Sequence, residues 1–239
     1  MSRPAPRLEL LADDAWLLSF GSDVDPGRID PGDNARAHAL ADRIRRAAPA
    51  WLRDLVPAYA SLAVFFDPEC CPGNEIRAWL AAIDEEATAV PAAARTVEIP
   101  VAYGGHFGPD LEDAAAELGL APAALARRHA GGDYTVAMIG FAPGFPYLSG
   151  LDAPLALPRL STPRTRVPAG SVGIGGAQTG IYPREGPGGW RLIGRTPVRL
   201  FDPCASPPSR LLPGDQVRFR AIDAAAFERL ESGRPEQAS

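Results

Sequence analysis

Glycine and proline crowd the stretch from Ile139 to Phe201, and this stretch constrains the fold more than any other. Twelve of the 24 glycines lie in it. Glycine permits positive φ angles and close backbone approach, whereas proline fixes φ. Polar donors and flat rings are interleaved with them: Arg159, Arg164, Arg166, Gln178, Tyr182, Trp190, Arg191 and Arg195. The combination indicates rigid loops on a β scaffold that face a small polar or anionic ligand.

The N-terminal part of the chain predicts a small α+β domain. Strand-like and helical segments follow one another in the order ββαββα: 7–11, 15–20, 37–48, 52–58, 60–66 and 75–89. This order predicts one antiparallel sheet covered by two helices. The expected cap of the first helix is Asp33 or Asn34, and the expected hinge is PAAAR at 91–95. The predicted domains are therefore 1–93 and 94–239.

The C-terminal part predicts a β-barrel. A strand at 96–101 and two short helices precede a strongly apolar strand at 134–141. Only short strand-like pieces follow: Val167–Pro168, Ser171–Ile174, Thr179–Ile181, Trp190–Ile193, Val198–Phe201 and Gln216–Ala221. Many short strands with glycine and proline between them favour a closed or nearly closed barrel.

Composition excludes several kinds of chemistry. All 24 basic residues are arginine, so a Schiff-base lysine, a P-loop lysine and a biotin-acceptor lysine are all excluded from this chain. The net charge of -5 argues against bulk binding to nucleic acid or an anionic membrane. Three cysteines and three scattered histidines predict no metal site. Because the N-terminus lacks an apolar signal region, a cytoplasmic location is expected.

Two segments resemble known motifs, a dinucleotide-binding fingerprint and a nucleophile elbow, but depart from both patterns. GSVGIGGAQTG has Gln178 where a dinucleotide-binding fingerprint needs glycine, and no helix can follow it. AGSVG around Ser171 has Ala169 at the first glycine position of a nucleophile elbow. A turn serine is the better interpretation of Ser171.

Histidine gives only weak catalytic candidates. His106 precedes Asp110 by four residues, which allows a general base held by a carboxylate. The alternative is a loop histidine near a helix N-terminus, where Asp110 caps the helix or interacts favourably with its dipole. His129 follows two arginines at a helix end, so a solvated cation is expected there.

Arg164 and Arg166 flank Thr165, so on an extended chain they point to one side. Two forked guanidiniums can hold a carboxylate or phosphate, although Arg-x-Arg also serves surface solubility. The aromatic residues nearby are either pocket walls or core: Phe145, Tyr147, Tyr182 and Trp190.

Four segments in order resemble one family: GFAPGFPYLSGL, TPRTRVPAGSVGIGGAQTGIYP, PGGWRLIGRTP and LLPGDQVRF. They are similar to the family of the 5-oxoprolinase B-type subunit, also known as the Kip-inhibitor family and as allophanate hydrolase subunit 1. The resemblance implies a small N-terminal α+β ββαββα sandwich followed by a cyclophilin-like β-barrel domain. Arg184 departs from the family pattern, where an apolar residue is usual.

The family resemblance also implies a function. The B-type subunit is taken to act with A-type and C-type subunits, the latter a second cyclophilin-like chain, in the ATP-dependent opening of 5-oxo-L-proline to L-glutamate. ATP, with Mg²⁺, is expected to bind jointly with a partner subunit, and this chain is expected to be inactive alone. The alternatives are a Kip-inhibitor-like protein that blocks a sensor histidine kinase, and a subunit of allophanate or urea metabolism.

The candidate residues suit 5-oxo-L-proline as a ligand, because this five-membered lactam carries an amide carbonyl and a carboxylate. Arg164 and Arg166 are expected to bind anions, Gln178 to orient the amide, and Tyr182 and Trp190 to wall the pocket. Arg195 is a further anion-binding candidate. Backbone N–H groups of a glycine loop can hold the carbonyl oxygen or a phosphate; the candidates are Gly144, Gly170, Gly173, Gly175 and Gly176.

Overall fold

A computed structural model describes residues 5–21, 30–83 and 95–233. The chain divides into two compact units, Met1–Ala94 and Arg95–Ser239. Most of the expected hinge at 91–95 lies outside the described residues. Within the described part, no helix is long and apolar enough to cross a membrane.

The first unit has the ββαββα order that the sequence predicts. Its elements are β1 (Arg7–Ala12), β2 (Ala15–Ser19), α1 (Pro31–Ala47), β3 (Leu52–Ala58), β4 (Ser61–Phe66) and α2 (Gly73–Ala82). The strands form an antiparallel sheet in the order β1-β2-β4-β3. Apolar residues from the sheet and both helices share one core, which includes Leu18, Leu40, Ile44, Leu62 and Ile76.

Helix α1 begins earlier than the sequence predicts. The cap is Asp30, whose side chain accepts hydrogen bonds from the backbone N–H groups of Gly32 and Asp33 at 2.7 and 3.1 Å. Pro31 follows it, and proline suits the first helical turn because no intrahelical acceptor exists there. The predicted caps Asp33 and Asn34 are therefore wrong; the Asn34 amide donates to the Tyr59 carbonyl instead.

The described residues of the second unit form nine strands, three α-helices and one short 3-10 helix, Ala153–Leu155. They are β5 (Thr96–Tyr103), α3 (Leu111–Glu117), α4 (Pro122–Ala130), β6 (Asp133–Ile139), β7 (Pro146–Ser149), β8 (Arg164–Val167), β9 (Ser171–Gly175), β10 (Gln178–Ile181), β11 (Gly186–Gly188), β12 (Arg191–Arg195), β13 (Gln216–Ile222) and α5 (Ala224–Ser232). Seven strands close a barrel in the order β10-β7-β6-β13-β5-β12-β9, and β8 pairs with β11 separately. Among the described strands of the barrel, β13 and β5 pair in parallel and the other neighbours pair antiparallel. The predicted fold class, an α+β unit followed by a β-barrel, is confirmed.

Some strand predictions differ from the structure in this unit. β8 begins at Arg164, three residues before the predicted piece. Val198–Phe201 is not a strand; Phe201 forms one isolated bridge with Ser209. The segment that faces Phe201 contains Pro207 and Pro208, and proline cannot donate to a sheet ladder, so the pairing does not extend into a strand.

Candidate functional site

An aromatic cluster lies beside the barrel, and we call it the Trp190 cluster: Phe145, Val167, Tyr182, Trp190 and Leu192. Phe145 meets Trp190 and Tyr182 edge to face, with ring centroids 5.6 and 5.1 Å apart. Aromatic pairs favour this geometry. Tyr182 and Trp190 are both almost fully buried, so their rings are part of this core, and Tyr182 also lines the cavity described below.

The glycines of β9 and β10 make room for the indole of Trp190. A Cβ on Gly175 would lie 2.6 Å from the indole, and one on Gly180 would lie 3.0 Å from it. Gly173 and Gly175 are thus strand residues of β9, and the prediction that they are loop residues is wrong. The other three candidates do lie in turns with positive φ: Gly144, Gly170 and Gly176.

The Tyr182 hydroxyl interacts electrostatically with two arginines, Arg159 and Arg164. Burial raises the pKa of its hydroxyl, and the positive charges of Arg159 and Arg164 act in the opposite direction. The Arg159 guanidinium lies 5.8 Å from the centroid of the Trp190 ring, within cation–π range. Two arginines therefore place positive charge beside a buried phenol.

Arg164 and Arg166 are held by different carboxylates. Arg164 donates to Asp110 at 2.5 Å, whereas Arg166 pairs with Glu185 at 2.8 Å and is 76% exposed. The structure therefore does not show the two guanidiniums clamped on one acceptor. Arg166 is the more available of the two for a ligand.

Both carboxylate oxygens of Asp110 accept hydrogen bonds from residues of other elements. One carboxylate oxygen accepts from Arg164, and the other accepts from the backbone N–H of Leu192 at 2.7 Å. Asp110 occupies the N-cap position of α3, as the sequence predicts, but its side chain makes no capping hydrogen bond to the helix. The His106 ring instead contacts the Phe107 ring in a tilted arrangement, with ring centroids 3.8 Å apart, and the hydrogen bonds of Asp110 go to Arg164 and Leu192.

A cavity of about 330 Å³ opens next to Tyr182, and we call it the Phe141 cavity. Its lining is Phe141, Ala142, Tyr182, Pro183, Arg184, Glu185, Gly186 and Pro187. Because Arg166 pairs with Glu185, its guanidinium belongs to the same neighbourhood. A cavity with an aromatic wall and arginines nearby suits a small molecule that carries a carboxylate.

Phe141 is a residue that sequence reasoning missed. Its φ is 63°, in the left-handed region that favours glycine, and the residue is 63% exposed. The ring meets Phe145 and Tyr182 edge to face at 5.3 and 6.2 Å. Strain of this kind concentrates at functional sites. The sequence signal that could have identified it is its position in the turn GFAPG, directly after Gly140 and before Pro143 and Gly144.

Gln178 and Arg195 lie apart from the lining of the Phe141 cavity. Gln178 is buried at the start of β10, opposite Gly175 of β9. Arg195 donates from Nε to the Ala169 carbonyl at 2.8 Å, and its guanidinium lies 5.8 Å from the Phe227 ring centroid.

His129 is not the solvated cation that the sequence predicts. It is fully buried, with Nδ1 2.8 Å from the Tyr103 hydroxyl and Nε2 2.8 Å from the Thr179 hydroxyl. Burial lowers the pKa of His129 to about 3, so the imidazole is neutral. The prediction failed because α4 turns this residue toward the barrel, where it stacks on Phe219 at 4.8 Å.

The fold and the site define a class: an α+β unit joined to a closed barrel that carries an aromatic cavity with flanking arginines. A family model described as the carboxyltransferase domain, subdomain C and D, matches residues 6–211. The chain belongs to this family, together with proteins named as the B-type subunit of 5-oxoprolinase. One such relative, from Bacillus subtilis (strain 168), is 41% identical over 90% of this chain and 92% of its own length. Another, from Escherichia coli O157:H7, is 53% identical over 56% of this chain and 62% of its own length.

Solved structures support the same fold. TTHA0988 is 40% identical with a TM-score of 0.76, over 88% of this chain and 40% of that protein. PH0987 from Pyrococcus horikoshii is 46% identical with a TM-score of 0.55, over 92% of this chain and 100% of that protein. The urea amidolyase of K. lactis, at 20% identity and a TM-score of 0.75 over 96% of this chain and 16% of that protein, shares the fold alone.

Proposed function

We propose that this chain is the B-type subunit of a multi-subunit, ATP-dependent 5-oxoprolinase that acts in the cytoplasm. The observation that carries the proposal is the 41% identity to the B-type 5-oxoprolinase chain of Bacillus subtilis over 92% of that protein's length. With the A-type and C-type subunits, it would open 5-oxo-L-proline to L-glutamate. This chain would serve the ATP-dependent activation of the lactam and would be inactive alone.

The chemistry sets what the site must do. The lactam oxygen takes the terminal phosphoryl group of ATP, and ADP leaves. One water adds to the activated carbon as the C–N bond breaks, and a second water releases phosphate. A carboxylate must be held throughout, and negative charge must be stabilised near the former amide oxygen.

The Phe141 cavity is the proposed place for the lactam. Its volume of about 330 Å³ exceeds what a five-membered ring needs, so part of a second reactant or a partner's side chain can enter. Arg166, freed from Glu185, would hold the substrate carboxylate. Tyr182 would donate a hydrogen bond, since its raised pKa keeps the phenol protonated at neutral pH. Arg164 would hold the Tyr182 side of the cavity in position through its ion pair with Asp110.

We also propose that the two units are domains with the boundary between residues 93 and 94. The division of the chain into the compact units Met1–Ala94 and Arg95–Ser239 supports this assignment. ATP and Mg²⁺ would be bound jointly with the C-type partner.

Reconstitution tests the proposal. Phosphate and glutamate are measured with ATP and 5-oxo-L-proline, using this chain alone, with the C-type partner, and with both the A-type and C-type partners. Both products should form only in the full mixture, and the Arg166→Ala variant should raise the KM for 5-oxo-L-proline. Arg218→Ala is the matched control, since Arg218 is an exposed arginine paired with Asp133 outside the cavity. A full mixture that releases no glutamate contradicts the proposal, and binding to a sensor histidine kinase would then favour the inhibitor alternative.

A further inference from the structure

A second and larger cavity lies at the start of β5, and we call it the Arg210 cavity. Its volume is about 690 Å³, and it shares no lining residue with the Phe141 cavity. The walls come from the first residues of β5 and from the irregular segment between β12 and β13. No part of the proposed lactam chemistry uses it.

Three arginines line this cavity, and two of them are fixed by the fold. Arg95 donates to both oxygens of Asp215 and to the Arg210 carbonyl. Arg199 donates from Nε to the Phe201 carbonyl at 2.8 Å and pairs with Asp202 at 3.3 Å. Each guanidinium has five N–H donors, so both keep donors for a ligand while their positions are already set.

Arg210 is the uncompensated charge. Among the described residues, its guanidinium has no hydrogen-bond or ion-pair partner. Two carboxylates also line the cavity, but Glu98 pairs with Arg220 at 2.6 Å and Asp202 pairs with Arg199. The lining therefore has one guanidinium whose charge no neighbouring acid offsets.

Most of the remaining wall residues are apolar. Thr96 and Ser209 add two hydroxyl groups, and the apolar part consists of Val97, Leu200, Phe201, Ala205, Pro207 and Pro208. Guanidinium groups select phosphate or carboxylate oxygens, and an apolar wall with one aromatic ring selects a flat organic body. A free inorganic ion would use only the first of these features.

From this arrangement we propose that the Arg210 cavity binds a small organic anion, with Arg210 pairing to its phosphate or carboxylate and Phe201 and Val97 contacting its apolar body. The proposal is independent of the 5-oxoprolinase assignment.

Isothermal titration calorimetry of the full chain tests the proposal with phenyl phosphate, benzoate and inorganic phosphate. Phenyl phosphate or benzoate should bind at least tenfold more tightly than inorganic phosphate, and the stronger of the two identifies the preferred anion. Arg210→Ala should weaken that binding at least tenfold, and Arg210→Lys should weaken it less. Arg218→Ala, an exposed arginine outside both cavities, should leave the affinity unchanged.

A second variant tests the cavity rather than the charge. Ala205→Trp keeps all three arginines and fills the space with a large side chain, so binding should be lost while the melting temperature stays the same. Equal affinity in wild-type protein and in Arg210→Ala or Ala205→Trp overturns the proposal. Failure of all three probes to bind at millimolar concentration overturns it as well.

Discussion

Arg164 and Asp110 form an ion pair that ties β8 to the start of α3, and the same carboxylate also accepts from the backbone of Leu192 in β12. The Asp110 side chain is 10% exposed and that of Arg164 is 31% exposed. One carboxylate thus joins three elements around the Trp190 cluster. Removing one partner of such a pair leaves a poorly solvated charge behind, which is costly.

Arg164→Ala should therefore lower the free energy of unfolding by about 2 kcal/mol, because hydrogen bonds to charged groups contribute roughly that amount. Urea denaturation measures the change. Arg166→Ala is the matched control: its ion pair with Glu185 is mostly exposed, so its effect should stay below about 0.5 kcal/mol. Equal destabilisation by both variants would refute the stabilising role of the ion pair between Arg164 and Asp110.

The fit between Trp190 and the glycines of β9 gives a second prediction. Gly175→Ala places a methyl group 2.6 Å from the indole, and overpacking of this kind costs about 1–3 kcal/mol. Thermal unfolding should show a lower melting temperature. Gly186→Ala is the control, since a Cβ there has no heavy atom within 4 Å. An unchanged melting temperature in Gly175→Ala would mean that the indole moves freely.

The sequence predicted the fold class because its local signals agree with the tertiary structure. Ala37, Leu40 and Ile44 recur at helical spacing, and all three are buried in the first core. Strand patterns at 96–101 and 134–141 correspond to β5 and β6. In each case residues close in sequence share one face, so periodicity alone is informative.

The site was less predictable because it depends on contacts between distant residues. The density of glycine was correctly recognised as unusual, but its physical reason at Gly175 is the ring of Trp190, fifteen positions later. Arg164 pairs with Asp110 because β8 lies beside the start of α3. Arg166 pairs with Glu185 because β8 pairs with β11, which Glu185 directly precedes. A short motif carries no information about such neighbours.

Phe141 supports a third prediction, which separates backbone strain from ligand contact. Its positive φ is unfavourable for alanine and favourable for glycine, so Phe141→Gly should be more stable than Phe141→Ala by about 1 kcal/mol in urea denaturation. Both variants should raise the KM of the reconstituted enzyme for 5-oxo-L-proline, since both remove the exposed ring from the cavity. Wild-type KM in both variants would show that the ring does not contact the substrate.

His129 supports a fourth prediction, about pH. Thr179 donates its only hydroxyl hydrogen to the Gly173 carbonyl at 2.9 Å, so it must accept from Nε2–H of His129. The Nδ1 atom is then the acceptor for the Tyr103 hydroxyl. This chain of hydrogen bonds fixes a neutral imidazole inside the barrel.

The pKa of His129 is about 3 in the folded chain against 6.5 as the ordinary value. Between these values the unfolded chain binds one more proton than the folded chain. The stabilising contribution of neutral His129 is therefore fully present above pH 6.5 and is lost as the pH falls toward 3. Over this range the free energy of unfolding falls by up to about 1.4 kcal/mol per pH unit. His129→Gln removes the titrating group, so its unfolding free energy should fall less steeply between about pH 6 and 4, as measured by urea denaturation at each pH. Parallel curves for the two proteins would show that His129 titrates equally in the folded and unfolded states.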